Sequence, residues 1–348
     1  MLSINRPYRI RLEASNICQL RCPLCSNTRG KIQRRGYLRL NDFKMLAEKS
    51  PYLKEVELSN WGEIFLNPDL LGIMEYAWKH GVHLYCENGA NLNNVSEEVL
   101  EGLVKYQFKS IMCSIDGASQ ATYGQYRIGG KFSTVIENIK KINIYKKRYA
   151  SRFPLLSWQF VVFPHNEHEI DQARKMASQL GMGFYTRVSW DAQNISANES
   201  KQSVMKESID LKAKKMRVRE AKRLNPGRYI CAQLWTGPQV NYDGEMLGCC
   251  IVKNSWGAGN VFVSGLLPII NGEKIKLARA MVLGRNKERE DIVCTHCIRF
   301  KQMKKHNDWL TMHEVLLLRF LGRARRWYLT CSSRHYTTIH NAVMRLIG

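Results

Sequence analysis

The sequence predicts an α/β protein in which a partial (β/α)6 barrel precedes a small domain that contains several cysteines. From Tyr8 to about Val188, six runs of apolar and β-branched residues alternate with helical patterns, which is typical of a parallel sheet built from β-α units. Beyond this part the alternation weakens, and four cysteines follow at spacings typical of a ligand set. With 348 residues the chain is long enough for two domains.

Six strands and three recognisable helix ends support the barrel. Pro68 fits the first turn of a helix, which is expected to end at Gly81. Ser96 is the expected cap of the next helix, and Asn166 with Glu169 three residues later resembles a capping box. The strands are expected at 9–14, 55–59, 83–87, 110–115, 158–163 and 184–188. By analogy with a closed barrel, ligands should bind at the carboxyl ends of the strands.

The same patterns divide the chain into four parts. Residues 1–190 are expected to form the barrel, and residues 191–230 a basic connecting segment with one helix at about 205–224. Residues 231–300 form the cysteine-containing domain, and residues 301–348 a basic amphipathic tail.

The chain is strongly basic, with a formal charge of +23 at pH 7. Such a charge calls for an anionic partner, and nucleic acid, anionic lipid and phosphate-linked substrates all fulfil that requirement. No RNA-recognition or helix-turn-helix pattern accompanies the charge, so sequence-specific nucleic-acid binding is disfavoured. The first eight residues do not resemble a signal peptide, and no apolar run approaches the ~18 residues of a membrane span. We therefore expect a cytoplasmic protein.

Three cysteines, Cys18, Cys22 and Cys25, directly follow the first strand. Cytosolic thiols stay reduced, so cysteines at motif spacing are candidate metal ligands. Three thiolates are one short of the four that close a [4Fe-4S] cluster, which would leave one iron open to a small molecule. Zinc is the alternative, but it would require a fourth Cys or His nearby, and none lies between Ser26 and Ser59.

The CxxxCxxC spacing resembles that of the radical S-adenosylmethionine (SAM) enzymes. This resemblance implies a TIM-like partial (β/α)6 barrel and a [4Fe-4S] cluster whose open iron chelates SAM. It implies cleavage of SAM to a 5′-deoxyadenosyl radical that abstracts hydrogen from a substrate, and a flavodoxin- or ferredoxin-type reductant. Gly62 and Glu63, after the second strand, resemble the family's Gly-Gly-Glu segment, whose backbone receives the SAM amino group. Trp61 stands where the first glycine usually is.

Further family positions follow the fourth strand and lie on the fifth. The resemblance assigns Ser114 and Asp116 to the ribose or carboxylate of SAM, and Arg127 to its carboxylate. Gln159 alternates with apolar residues, where it either faces the adenosyl group or makes a cross-strand hydrogen bond. Taken alone, Asp116 before a glycine is a turn and Arg127 a solvated charge. Together with the upstream cysteines they favour the functional interpretation.

A second cysteine set lies downstream and consists of Cys231, Cys249, Cys294 and Cys297. A turn at 242–245 suggests a β-hairpin whose end meets the later CxxC. The set resembles the SPASM/Twitch extension of radical SAM enzymes, which holds auxiliary clusters. A full SPASM domain would continue with two more cysteines, and 299–329 contains none, so we expect one auxiliary [4Fe-4S] cluster. Four cysteines ending in a CxxC are also a zinc pattern, which stays the alternative.

The resemblance implies a radical SAM oxidoreductase or epimerase. A single auxiliary cluster with this spacing resembles enzymes that dehydrogenate or epimerise a carbinol carbon of a sugar or cyclitol, and this is the function we expect. A maturase that modifies ribosomal peptides is the alternative, although we expect no peptide-recognition domain ahead of the barrel. A non-catalytic iron-sulfur or nucleic-acid-binding protein would explain the charge but not the SAM-like motifs.

Cys250 is the candidate catalytic residue that could separate epimerisation from oxidation. It adjoins the expected ligand Cys249 and is surplus to four-fold ligation, so its thiol could donate hydrogen to a substrate radical. On a β-hairpin, however, neighbouring side chains point to opposite faces. We therefore favour a packing role for Cys250 and an oxidation as the reaction.

The tail combines apolar residues at helical spacing with a basic stretch that contains two aromatics. The residues are Trp309, Met312, Leu316, Leu317, Phe320 and Leu321, followed by Arg323, Arg325, Arg326, Trp327 and Tyr328. Such a segment can lie on an anionic membrane, here peripherally at the inner face. Packing against its own domain is the interpretation we favour.

Overall fold

The structure is a computed structural model that describes residues 5–187 and 231–331. The described residues form two compact units. The barrel unit contains residues 12–44 and 55–187, and the cysteine unit contains residues 5–11, 45–54 and 231–331. The helix expected at 205–224 lies outside the described residues.

The predicted α/β fold is confirmed, with all six expected strands present in a parallel arrangement. The strands are β1 Arg9–Leu12, β2 Glu55–Glu57, β3 His83–Ala90, β4 Ser110–Ser114, β5 Leu155–Val161, β6 Gly183–Arg187 and β7 Gln239–Val240. The sheet has the strand order β6-β5-β4-β3-β2-β1-β7. Each pairing from β2 to β6 is parallel, as β-α units require.

Helices follow the strands in the barrel unit and dominate the cysteine unit. Those of the described residues are α1 Leu40–Glu48, α2 Leu70–Lys79, α3 Glu97–Lys105, α4 Gln120–Tyr126, α5 Phe132–Arg148, α6 Ile170–Gln179, α7 Gln233–Thr236, α8 Val261–Ser264, α9 Leu266–Ile270, α10 Glu273–Val282, α11 Ile298–Lys305 and α12 Met312–Cys331. The predicted cap of α3 is confirmed, because the hydroxyl of Ser96 accepts a hydrogen bond from the main-chain N–H of Val99 at 3.3 Å.

The capping box predicted for α6 is wrong. A short 3-10 turn precedes this helix, and the Asn166 side chain caps neither element. Asn166 is buried and donates instead to the main-chain carbonyls of Val161 and Asp116, at 2.9 and 3.1 Å. The Glu169 carboxylate accepts from the main-chain N–H of Ala118 at 2.6 Å. Both side chains therefore hold the loops at the carboxyl ends of β4 and β5.

The central strands are buried on both faces, as expected for a parallel sheet covered by helices. All residues of β5 except the first are buried, and so are all residues of β4 except the first. Ser114 and Gln159 are polar residues on these otherwise largely apolar strands. Buried polar side chains of this kind require an explanation, which makes them candidates for ligand binding.

The cysteine unit has its own apolar core. Leu234, Met281, Phe300 and Val315 bring α7, α10, α11 and α12 together in this core, and the side chains of several cysteines pack against it. The expected turn is present, since Val240 and Met246 form an antiparallel bridge. Gly244 adopts a positive φ of 85° within this turn, a conformation that favours glycine.

The tail helix α12 packs one of its faces on its own unit, but four residues of the predicted apolar stripe, Leu316, Leu317, Phe320 and Leu321, are exposed, so the packing favoured from the sequence holds only for Trp309 and Met312. Val315 is buried, and Leu318 contacts the apolar core. Among the described residues, no helix combines the length and the apolar content that crossing a bilayer requires.

Candidate active site

The first three cysteines lie on one loop after β1. Cys22 is buried, Cys18 and Cys25 are half-buried, and the main-chain N–H of Cys25 donates to the carbonyl of Cys22 at 3.0 Å. All three pack against an apolar cluster formed by Leu20, Leu24, Tyr126, Val161 and Phe163. The structure therefore brings these predicted ligands together in a setting with little access for water.

The raised pKa values of Cys18 and Cys22 indicate that this loop needs a bound cation to keep their thiols ionised. Burial raises the pKa of the Cys18 thiol to about 12, and the nearby Glu63, Cys22 and Cys25 act in the same direction. Burial also raises the pKa of Cys22, although the Arg127 guanidinium opposes the effect. Holding these groups as thiolates therefore calls for additional positive charge, which iron would supply.

No three Cys, His, Asp or Glu side chains in the described part of the chain are placed to share one metal ion. A [4Fe-4S] cluster does not need that arrangement, because each thiolate binds a different iron. Three thiols are therefore a suitable ligand set for three of the four irons of a [4Fe-4S] cluster.

The segment after β2 supports the chain directly ahead of the cysteine loop. The main-chain N–H of Glu63 donates to the carbonyl of Ile17 at 2.8 Å. Gly62 lies so close to the backbone that an added Cβ would be 2.2 Å from the carbonyl oxygen of Ser15. On the other side of this glycine, the N–H of Trp61 donates to the Glu13 carboxylate at 2.6 Å. Only a residue without a side chain fits at position 62.

Asn91 connects Glu63 to the cysteine loop, a role that the sequence does not indicate. The buried Glu63 carboxylate accepts from the main-chain N–H groups of Asn91 and Phe65, at 2.6 and 3.3 Å. The Asn91 side chain accepts from Gln19 at 2.9 Å and donates to the sulfur of Cys18 at 3.8 Å. Its position directly after β3, at the edge of the sheet where ligands are expected, marks Asn91 as a candidate but does not reveal these partners. Burial raises the pKa of Glu63 to about 7.

Asp116 and Arg127 form an ion pair beside the same loop. The Nε of Arg127 lies 2.7 Å from one carboxylate oxygen of Asp116, and the other oxygen accepts from the N–H of Val161 at 2.7 Å. The Arg127 Nη1 donates to the sulfur of Cys22 at 3.6 Å. Asp116 is fully buried, and burial raises its pKa while Arg127 opposes the rise. The two carboxylate oxygens of Asp116 therefore bind Arg127 and the main-chain N–H of Val161.

Ser114 and Gln159 are direct neighbours on β4 and β5. Gly89 faces them with a φ of 117°, and an added Cβ there would lie 2.3 Å from the hydroxyl oxygen of Ser114. The Oε1 atom of Gln159 is buried and has no hydrogen-bond partner among the described residues. An unsatisfied buried acceptor at the carboxyl end of the sheet fits a bound ligand with N–H groups, such as an adenine.

The second cysteine set lines a cavity of about 600 Å³ in the cysteine unit. Cys231, Cys249, Cys294 and Cys297 all contribute to its wall, together with Trp256, Phe300 and Met303. Burial raises the pKa of Cys294 to about 12, and the nearby Cys231 and Cys297 add to the rise. Four convergent thiols around one cavity fit a fully ligated cluster.

Cys250 does not point away from Cys249 as the predicted hairpin requires. The two cysteines lie in a turn beyond the short β7, and both sulfurs approach the Oε1 atom of Gln233, at 3.5 Å for Cys249 and 3.2 Å for Cys250. The interaction between the two neighbouring thiols lowers the pKa of Cys250 and raises that of Cys249. Cys249 lines the cavity, whereas Cys250 is not among its lining residues. The prediction of opposite faces is wrong because it assumed a strand.

Comparisons with known proteins concern both parts of the chain. Residues 12–177 match the family model of the radical SAM superfamily, and residues 231–298 match that of the SPASM iron-sulfur cluster-binding domain. None of the curated proteins compared matches the chain by sequence.

Solved structures with a similar fold include two enzymes with bound SAM. SuiB from Streptococcus suis has a TM-score of 0.59 and 13% identity, covering 85% of this chain and 72% of SuiB. The enzyme anSMEcpe has a TM-score of 0.56 and 15% identity, covering 85% of this chain and 88% of anSMEcpe. SuiB has also been solved with the precursor peptide SuiA, and anSMEcpe with the Cp18Cys peptide. At these identities the similarity concerns the fold.

Proposed function

The chain belongs to the radical SAM superfamily and carries a SPASM domain, and from this premise we propose that it oxidises a carbinol carbon of a sugar or cyclitol. Its cofactors are SAM, a [4Fe-4S] cluster that binds SAM, and auxiliary iron-sulfur. One observation carries the choice of a sugar or cyclitol substrate, namely the set of four cavity-lining cysteines in the SPASM segment. When bound, the first cluster and SAM supply a 5′-deoxyadenosyl radical for hydrogen abstraction, and the auxiliary cluster supplies an electron acceptor.

We assign the ligands of the two clusters to the two cysteine sets. Cys18, Cys22 and Cys25 hold the first cluster, and the surrounding apolar residues keep water from the site. Cys231, Cys249, Cys294 and Cys297 hold one auxiliary cluster, because residues 299–329, where a full SPASM domain would supply two more cysteines, contain none. Full ligation by four thiolates suits electron transfer, since no iron is left open for a substrate.

The assigned SAM site lies at the carboxyl ends of β3, β4 and β5. Gln159 offers a buried acceptor for the adenosyl group, and Ser114 lies beside it on the neighbouring strand. Arg127 provides a cation for the SAM carboxylate, and Asp116 orients that cation. The backbone of Gly62 and Glu63 is assigned to the amino group.

The environment of Cys250 supports oxidation over epimerisation. An epimerase needs a hydrogen donor that can reach the substrate radical. The hydrogen bond from Cys250 to Gln233 is shared with the assigned ligand Cys249 and does not separate the two thiols, but Cys250 does not line the cavity. Its position outside the cavity lining supports a packing role for Cys250.

A peptide substrate is the second candidate, and two similar structures favour it. SuiB and anSMEcpe were both solved with peptides, and both resemble this chain over 85% of its length. The charge of +23 supports an anionic electron donor of the flavodoxin or ferredoxin type and a phosphate-linked substrate. The non-catalytic alternative loses support, because the chain matches the radical SAM model.

The cluster assignment is tested by iron analysis and SAM cleavage after anaerobic reconstitution. The wild type should hold about eight irons per chain and form 5′-deoxyadenosine with dithionite. Replacing Cys18, Cys22 and Cys25 by Ala should leave about four irons and no cleavage. The matched control replaces Cys86 and Cys113, which are buried on β3 and β4, and should keep both properties. Cleavage that survives the triple change would refute the assignment.

The reaction is tested in D2O with sugars, cyclitols, their phosphate-linked forms and short peptides. A sugar or cyclitol product two mass units lighter supports the proposed oxidation. An isomeric product with one deuterium, lost in Cys250→Ala while SAM cleavage persists, would identify an epimerase. Turnover of peptides alone would establish the second candidate.

A further inference from the structure

The tail helix α12 exposes a group of large apolar side chains on one face. Leu316, Leu317, Phe320 and Leu321 are 59%, 47%, 67% and 39% exposed. At the α-helical repeat these positions fall within an arc of about 140°. Scattered exposed apolar residues are ordinary, but a contiguous group on one helix face indicates an interaction surface. We call these four residues the outward face.

The opposite face of α12 is fixed to the cysteine unit. Val315 and Leu318 pack in the apolar core, and the Arg319 guanidinium donates to the carbonyl of Arg6 at 3.2 Å. The Arg323 guanidinium lies 4.4 Å from the centre of the Tyr8 ring. These contacts determine which side chains α12 turns outward.

The charge near the outward face is mainly basic, because Glu314, whose carboxylate accepts hydrogen bonds from Thr311, is the one acidic residue of α12. From Val315 to Gly348 the sequence contains six arginines and no aspartate or glutamate. At the helical repeat, position 323 borders the outward face, and it is an arginine. Leucine and aromatic residues bordered by arginine are the composition of helices that lie in a membrane interface.

A small cleft beside α12 adds a place for anionic groups. Its volume is about 30 Å³, and Arg9, Arg319 and Arg323 are among its lining residues, none of which is acidic. A space of this size takes one or two water-sized groups, such as the oxygens of a phosphate.

We propose that the outward face of α12 lies on an anionic membrane and holds the enzyme there reversibly. The apolar side chains would enter the region between headgroups and acyl chains, and the arginines would remain at the phosphates. A second copy of the chain is a poorer occupant, since the arginines of both copies would face each other. The helix is 20 residues long and would lie along the surface over about 30 Å. This proposal does not depend on the substrate.

The test is co-sedimentation of the full, reconstituted chain with vesicles. Vesicles of phosphatidylcholine with one third phosphatidylglycerol should bind the protein, binding should weaken at high salt, and phosphatidylcholine alone should not bind. Leu317→Glu with Phe320→Glu should lower partitioning at least tenfold, and Leu317→Ser with Phe320→Ser should lower it without adding charge. The matched control is Val263→Glu, because Val263 is an 80% exposed apolar residue on α8 of the same unit.

Three results would overturn the proposal. The first is that the wild type fails to bind the anionic vesicles. The second is that both double variants bind as well as the wild type, which would mean that charge elsewhere is responsible. The third is a dimer in analytical ultracentrifugation that dissociates in the double variants, which would make the outward face an interface between copies. All variants should keep SAM cleavage, since none of these residues belongs to the candidate active site.

Discussion

Substituting Gly62 by alanine should displace the cysteine loop, because the backbone leaves no space for a methyl group. The added Cβ would lie 2.2 Å from the Ser15 carbonyl oxygen and 2.5 Å from the Asn16 Cα. Ordinary contact begins at 3.4 Å, so one segment must move by about 1.2 Å, the difference between these distances. Overpacking of this kind costs about 1–3 kcal/mol, with the upper end expected where backbone opposes backbone. A misplacement of about 1 Å can lower a reaction rate by roughly 100-fold.

Iron content, unfolding in urea and the rate of 5′-deoxyadenosine formation measure this effect. We expect Gly62→Ala to lose about 2–3 kcal/mol of stability and roughly two orders of magnitude in cleavage rate. Gly124→Ala is the matched control, because Gly124 lies within α4 and an added Cβ there meets only the end of the Gln120 side chain, at 3.0 Å. If Gly62→Ala cleaves SAM at the wild-type rate, the close approach does not position the loop.

Two further substitutions test the buried charges of the site. Asp116→Asn should lower the free energy of unfolding by about 3 kcal/mol, because it leaves Arg127 without its anionic partner in a buried pair. The measurement is unfolding in urea, and a loss below about 1 kcal/mol would contradict a stabilising role of this ion pair. Glu63→Gln should remove a pH dependence of the free energy of unfolding. In the folded protein the pKa of Glu63 is raised from 4.5 to about 7. The stability that the protonated Glu63 contributes is therefore complete below pH 4.5 and is lost as the pH rises to about 7. This pKa difference corresponds to about 3.5 kcal/mol at ~1.4 kcal/mol per pH unit. Unfolding of both proteins from pH 4.5 to 8 measures it, and parallel profiles would show that Glu63 does not titrate in this range.

The parts predicted best from the sequence are those that local pattern determines. The central strands are buried on both faces, so they occur as short apolar runs between polar helix ends, and all six were identified. The cysteine sets were found because ligand spacing is itself a local property. The helix cap at Ser96 was also predicted correctly, because the amide that its hydroxyl binds is only three residues away in the sequence.

The errors occur where a side chain bonds to a distant part of the chain. Asn166 and Glu169 have the spacing of a capping box, but their partners Asp116 and Ala118 lie about 50 residues earlier. Asn91 gains its role from Gln19, which is 72 residues away. No local pattern contains that information.

The division of the chain between the two units restricts how the protein can be made and dissected. Residues 5–11 and 45–54 belong to the unit whose remaining described residues, 231–331, follow the barrel unit in the chain. A ribosome therefore releases the first segments of the cysteine unit long before most of their partners exist, and the unit cannot close until the barrel unit has been made. Contacts this distant in sequence slow folding. No single cut separates the units either, so a fragment that ends before residue 231 would carry two orphaned segments, and point substitutions are the sounder way to study each unit.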